Sequence, residues 1–408
     1  MEKRLFVGID TSKMGHQVCL MNPTKIKQDV YIENNRAGFD RLTTILSQYR
    51  KEGYQVTVGC EPCGHYWENL GYRLVEDGYA VQLVNPFHVN RYKEIFDNSP
   101  QKDDRKDSRI IATLVKEGKS LHNNLPRDGY AELRHLTHLR EQLLKEGTRL
   151  RNRLHGWIDR YFPEYSTLFC DLLGVTCLGL LKKYGGPRGM VEVCLGELTG
   201  EVRSLSRGKL GRKRAQEVQA RAARTIGQTI APRAARAELN WSLTRIESWR
   251  EEVKGVERLI KAELIQQKED KYLQSIPGVG WWGSAVFLGE VEDIGKYPRA
   301  KSIEKLAGLN LYHKKSGKTE SSLRITRRGR SLLRKMAYQL AVSGTHGAEE
   351  FREFYQRKLN KGKPKVSALV ALAAKILRVM YGVVKNEEEY RPLKERAGDA
   401  GGFQEGPC

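Results

Sequence analysis

The sequence predicts an α/β domain with a mixed sheet at its amino-terminal end, followed by a mainly helical remainder. Three features carry this: β-rich runs split by turn residues over the first 33 positions, alternating helix and strand periods from 37 to 84, and helical spacing of leucine and arginine from about 125 onward. Residues 4–9 (RLFVGI), 15–21 (GHQVCLM) and 28–33 (QDVYIE) predict a meander of three antiparallel strands. Phe39, Leu42, Leu46 and Tyr49 then share one face of a helix over 37–51. The strand QVTVGC (55–60), a helix near YWENLGYRLVED, and the apolar strand AVQLV (80–84) follow, leading into NPFHVNRYKEI.

From about 125 to 170 the chain predicts one long helix whose leucine stripe is a packing seam, with a dimer seam as one use of it. Residues 201–238 carry ten Lys and Arg against three Asp and Glu, on a helix that breaks and resumes. Such a segment serves equally as a phosphate contact or as a solvated basic face. Helix continues to about 270 and ends at IPGVG (276–280), which has the form of a helix-hairpin-helix turn whose glycines admit a phosphate to backbone N–H groups. The expected domains are 1–124, a sheet domain; 125–270, a helical, coiled-coil and basic region; 271–385, a helical domain; and 386–408, a polar, Gly-rich, disordered tail.

The formal charge is +22. Residues 1–120 hold 18 Lys and Arg against 16 Asp and Glu, so +20 of the total falls on the later segments. That imbalance points to a polyanion, nucleic acid being the usual one, gripped mainly by the later part. No basic amphipathic helix and no apolar run of spanning length stand out, which argues against a membrane partner. The start MEKRLFVGID passes directly into a strand pattern, and the seven cysteines are odd in number and scattered, so a reduced cytoplasm is expected. Cys60 and Cys63 lack a second pair at zinc-ligand spacing.

Against this basic background, KDDRKDS (102–108) crowds three aspartates into five positions. By itself this is also how an acidic helix start looks, with Asp103 or Asp104 capping free N–H groups. Asp104 and Asp107, however, fall three apart on one helix face, about 5 to 6 Å between Cβ atoms. Two further carboxylates end strands: Asp10 in VGIDTSK and Glu61 in VGCEPCG. If those strands are neighbours, as in a ribonuclease H-like sheet, all four acids meet at one sheet edge. Four clustered carboxylates require compensating cations, and Mg²⁺ suits hard oxygen donors. Two such ions about 3.5 to 4 Å apart serve phosphoryl transfer.

Together GIDTSK, GCEPCGHYWENL, NPFHVNRYK and KDDRKDSRIIA resemble the amino-terminal domain of the DEDD insertion-sequence transposases, known as bridge-RNA-guided serine recombinases. The stretch from IPGVG through KSIEKLAGLNLYHKKSGKTESSLRITRRGRSLLRKMAYQLA resembles their carboxy-terminal transposase domain. The resemblance covers most of residues 4–345. It implies a ribonuclease H-like (RuvC-like) fold, metal ligands at Asp10, Glu61, Asp104 and Asp107, and a serine that attacks DNA at Ser316 of the matching Ser-Gly pair. Asp103 is the neighbouring alternative to Asp104, and Ser321 and Ser322 to Ser316. Ser108 stands where the family usually has alanine, and Lys-Lys precedes the Ser-Gly pair where polar residues are common. Residues 311–340 carry nine Lys and Arg and one Glu. Lys314, Lys315, Lys318 and Arg324 are candidates to clamp a scissile phosphate, with Arg327 and Arg328 as further backbone contacts. The resemblance also implies a structured guide RNA, DNA as substrate, and a homo-oligomer, dimer or tetramer. Three other functions compete: a junction-resolving nuclease using the carboxylates and water, a sugar-kinase or actin-like ATPase, and a catalytically dead nucleic-acid-binding protein.

Overall fold

A computed structural model describes residues 3–62, 64–97, 104–120, 125, 127–312, 315–316, 319–320 and 324–392; of the side chains at 94–97, 104, 315–316 and 319–320 nothing is described. The chain divides into two compact units, Met1–Pro126 and Arg127–Cys408.

The first unit is built on a five-stranded sheet of β1 (Lys3–Thr11), β2 (Gly15–Met21), β3 (Ile26–Glu33), β4 (Tyr54–Cys60) and β5 (Ala80–Leu83), in the order β3-β2-β1-β4-β5. The β1–β2 and β2–β3 pairs are antiparallel, while β4 joins β1, and β5 joins β4, in parallel. This is the mixed sheet expected, and a ribonuclease H-like domain fits it. Strand alternation sends Leu5, Val7 and Ile9 to one face, where α1 (Arg36–Lys51) and α2 (Glu68–Glu76) cover them with Leu42, Leu46, Leu70 and Leu74. The Asn35 side chain caps α1 by accepting from the Gly38 N–H. The opposite face takes α3 (Pro86–Asp97) and α4 (Asp104–Lys116), through Val89, Ile110, Ile111, Leu114 and Val115 with Phe6.

That second face carries Gly8 and Gly59, which pair across β1 and β4. A Cβ on Gly8 would stand 2.1 Å from the Ser108 carbonyl oxygen and 2.3 Å from the Ala112 nitrogen; one on Gly59 would meet Val115 at 2.3 Å. The two glycines make a notch in which the backbone of α4 lies directly on the sheet.

The second unit is helical. Its frame is an antiparallel pair, α5 (Asp128–Tyr161) and α10 (Pro232–Ile265), crossing closely where Gly147 lies under Trp249. The leucine stripe of the long helix is therefore used inside the chain: α5 packs against α10 and α12 (Trp281–Val291), which removes its support for a dimer seam. The segment between the long helices is also no continuous coiled coil. A 3₁₀ turn and α6 (Val175–Tyr184), α7 (Pro187–Glu192), α8 (Leu195–Leu205) and α9 (Arg212–Ala223) enclose their own core around Trp157, Phe162 and Tyr165. Apolar residues there are spaced for short helices, and Gly185, in a left-handed conformation (φ 72°), ends α6.

At the other end of the frame, α11 (Asp270–Gln274), α13 (Ala300–Leu306), α14 (Ser331–Gly344), α15 (Glu349–Asn360) and α16 (Lys365–Asn386) surround α12. The IPGVG turn joins α11 to α12, with Gly278 at φ 88°. Contrary to the sequence expectation, α16 is long and apolar enough by composition to cross a membrane; its Leu372, Ile376, Leu377 and Met380 belong to this core. After α16, Lys268 pairs with Glu387, and the Tyr390 N–H donates to Ser275 Oγ at 2.7 Å. The rest of the expected tail, 393–408, lies outside the described residues.

Candidate active site

The structure positions Asp10, Glu61 and Asp107, and the glycine notch explains how. Ile9 pairs with Cys60 in the parallel ladder, so the next residues, Asp10 and Glu61, stand side by side where the two strands end. Asp10 is half-buried and Glu61 is 8% exposed. Both lie two residues beyond a notch glycine, hence on the same sheet face as α4. Ser108 sits over Gly8, whereas Thr113, one and a half turns later, reaches the Met21 sulfur opposite Phe6. Helix α4 thus runs back along β1 with its amino terminus toward Asp10. Asp107, 5% exposed, belongs to that first turn. Asp104 opens the same turn; its side chain, and the whole of Asp103, lie outside the described residues.

Lys93 was missed from sequence. It lies on α3 one turn after the fully buried Val89, on the face that meets α4, and its ammonium donates to Asp107 Oδ2 at 2.7 Å. Its signal was the i, i+4 spacing within NPFHVNRYK. Asp107 Oδ1 is buried and has no hydrogen-bond partner among the described residues. One oxygen of this nearly buried carboxylate is thus neutralised and the other is left as an uncompensated acceptor. Arg109 similarly ties α4 to the sheet through Asp29 of β3. The Ser108 hydroxyl is satisfied inside the helix, donating to the Arg105 carbonyl at 2.9 Å.

Among the described residues no three His, Cys, Asp or Glu side chains already converge as a metal cage. The donor chemistry nevertheless fits a hard divalent ion. Asp10, Glu61 and Asp107 offer only carboxylate oxygen, the donor that suits such an ion, while the adjacent Cys60 thiol is fully buried and pushed up to about 12 by that burial. Cys63 lies outside the described residues, and Cys19, Cys60, Cys170, Cys177 and Cys194 are free.

In the second unit, β6 (Leu311–Tyr312) pairs antiparallel with β9 (Arg324–Ile325), and β7 (Lys315–Ser316) with β8 (Thr319–Glu320). Ser316 ends β7 opposite Thr319; its side chain and that of Lys315 are not described, and Lys314, Lys318, Ser321 and Ser322 fall outside the described residues. Arg324, Arg327 and Arg328 are exposed. The base of this arm is fixed by two loops in contact. A Cβ on Gly329 would lie 2.3 Å from the Leu306 carbonyl, and Arg327, at φ 55°, donates its N–H to Gly308 at 3.0 Å. Elsewhere α9 buries Ala215, Val218 and Ala222 and leaves Arg212, Lys213, Arg221 and Arg224 exposed as a basic ridge.

Residues 7–163 match the DEDD transposase family model, and residues 270–356 match the model for transposases of the IS116/IS110/IS902 family. The chain belongs to this transposase family. It is similar to the insertion element IS116 uncharacterized 44.8 kDa protein of Streptomyces clavuligerus, at 24% identity over 95% of this chain and 96% of that one. It is also similar to the transposase for insertion sequence element IS1111A of Coxiella burnetii (25% identity, 85% and 83% of the two chains). A pilin gene-inverting protein of Moraxella bovis matches at 21% identity over 96% and 98%. The transposase is thus an enzyme acting on DNA, and the expected class of activity holds at that level.

Proposed function

We propose that this transposase is a DNA recombinase of an insertion element that uses carboxylate-bound Mg²⁺ and a serine nucleophile, and is directed by a structured guide RNA. The observation that carries the metal part is the glycine notch. By seating α4 on β1 it brings Asp107, with its unmatched Oδ1, to the sheet end that holds Asp10 and Glu61. Asp104 would complete the ligand set. Bound there, Mg²⁺ supplies positive charge to phosphate oxygens in the transition state.

The serine part rests on the family resemblance and on the basic setting of Ser316. Its hydroxyl oxygen forms a bond to phosphorus, one P–O bond of the DNA breaks, and the released sugar hydroxyl takes up the proton that the serine loses. Reversal with a different strand's hydroxyl reseals DNA without water or a nucleotide cofactor. Lys314, Lys315, Lys318 and Arg324 would hold the phosphate, with Arg327 and Arg328 on the neighbouring backbone. DNA pairing with a guide RNA, and a dimer or tetramer, are carried by the resemblance alone.

The protein, its RNA and DNA are incubated with Mg²⁺ and then denatured. A protein–DNA adduct is expected, absent in Ser316→Ala and in Asp10→Ala, while both variants still bind DNA. Strand cleavage without an adduct would replace this function with a water-using nuclease. Asp103→Ala and Asp104→Ala compared in the same assay identify the ligand, since only the true one should behave like Asp10→Ala. Specific recombination by RNA-free protein would remove the guide. The ATPase alternative needs a second α/β copy, and the described strands of the second unit are two-residue pairs within a helical body.

A further inference from the structure

Among the cations of RITRRGR, Arg330 turns inward. Its side chain is 14% exposed, one guanidinium nitrogen donates to the Glu290 carbonyl, and the fork lies 3.6 Å from Glu290 Oε2 and 3.4 Å from Glu292 Oε1. These two carboxylates end α12 and are 1% and 3% exposed. Buried carboxylates persist only when cations match them. The other partners come from separate elements: the cations Arg134 on α5 at 3.5 Å and Lys296 at 3.2 Å from Glu292, and the His138 imidazole on α5 at 2.7 Å from Glu290. Burial alone would raise the Glu290 carboxyl, but the His138 hydrogen bond and the charges of Arg330 and Arg134 together hold it below its ordinary value.

The backbone marks the same place. Glu292 is held at φ 63°, ψ −140°, a conformation that non-glycine residues keep only when their surroundings enforce it. Gly289 lets α5 pass so close that a Cβ would lie 2.7 Å from the Arg134 nitrogen. From Arg330 the contacts lead into the arm: its N–H donates to Leu306 at 2.7 Å, Arg327 N–H to Gly308 at 3.0 Å, and Thr326 N–H to Asn310 at 2.9 Å, next to the β6–β9 pair.

We propose that Glu292, together with Glu290, is a positioning residue for the β6–β9 arm, holding Arg330 so that the base of the strands leading to Ser316 keeps one orientation on α5 and α12. Only the catalytic consequence rests on the serine function proposed above; the anchoring does not.

The test is hydrogen exchange on the full chain with Glu292→Gln, followed by the rate of adduct formation at saturating DNA. The amides of Thr326, Arg327 and Arg330 should exchange at least about tenfold faster, with those of β1 unchanged, because the variant opens only the arm locally. DNA affinity should stay within about twofold while the adduct rate falls about tenfold or more, as expected of a group that orients without binding. Glu292→Asp should recover part of the rate. Unchanged exchange at the three amides, or faster exchange with an unchanged adduct rate, overturns the proposal. If Glu292→Gln does not fold, Arg330→Lys keeps the charge without the fork, and wild-type exchange in that variant overturns it equally. Faster exchange in a protein whose wild type forms no adduct would support the anchoring and reject the serine.

Discussion

Adding one methyl group at Gly8 should separate α4 from the sheet. The new Cβ would stand 2.1 Å from the Ser108 carbonyl oxygen and 2.3 Å from the Ala112 nitrogen, both backbone atoms of α4. Contact needs roughly 3.4 Å, so the helix must lift by about 1 Å, because backbone cannot step aside as a side chain does. Overpacking of this kind costs about 1–3 kcal/mol, and a displacement of about 1 Å at a catalytic group costs on the order of 10²-fold in rate. Gly8→Ala should therefore remain folded with a lowered Tm, bind DNA as before, and lose strand cleavage and adduct formation by on the order of 10²-fold. Two further variants calibrate the result. Gly59→Ala meets the Val115 methyl at 2.3 Å, a side chain able to rotate, and should be milder. Gly156→Ala, within α5, meets nothing within 4 Å and should stabilise by about 0.5–1 kcal/mol. Thermal unfolding and a single-turnover cleavage assay suffice. Wild-type cleavage by Gly8→Ala would refute the claim that the notch sets the position of Asp107.

Three other outcomes follow from the same geometry. Lys93→Met leaves both oxygens of a nearly buried Asp107 without their cation and should destabilise the first unit by about 3 kcal/mol, measured as Tm, with part of the loss restored by added Mg²⁺; an unchanged Tm would count against the pair. His16 is fully buried, and burial, only partly offset by Asn34, holds its imidazole below the ordinary 6.5. The unfolded chain then binds the proton more readily, so His16 costs no stability above pH 6.5 and lowers it progressively as pH falls from there toward the folded-state value. Urea unfolding from pH 7 to 5 should show stability falling more steeply in the wild type than in His16→Phe. DNA affinity should fall steeply with salt, with log K linear in log salt, and charge removal at Arg212, Lys213, Arg221 and Arg224 together should make that line shallower if the α9 ridge contacts phosphate; an unchanged slope would assign the ridge to solvent.

Much of the first unit is determined by sequence, since it is local: strand alternation, the helix period after Asn35, and glycines two residues before Asp10 and Glu61 are all short-range features. The strand-end positions of Asp10 and Glu61, and the place of Asp107 in the first turn of α4, are legible for that reason. Tertiary structure decided what depends on contacts between segments distant in the chain. It placed Lys93 against Asp107 and turned Arg330 away from its exposed neighbours toward Glu290 and Glu292. It also closed the α5 leucine stripe with α10 and α12. A leucine stripe has the same period whether its partner is a second chain or a later helix of its own. An arginine in a basic run is equally suited to phosphate or to a buried carboxylate. Burial and charge pairing choose between these, and both are properties of the folded chain.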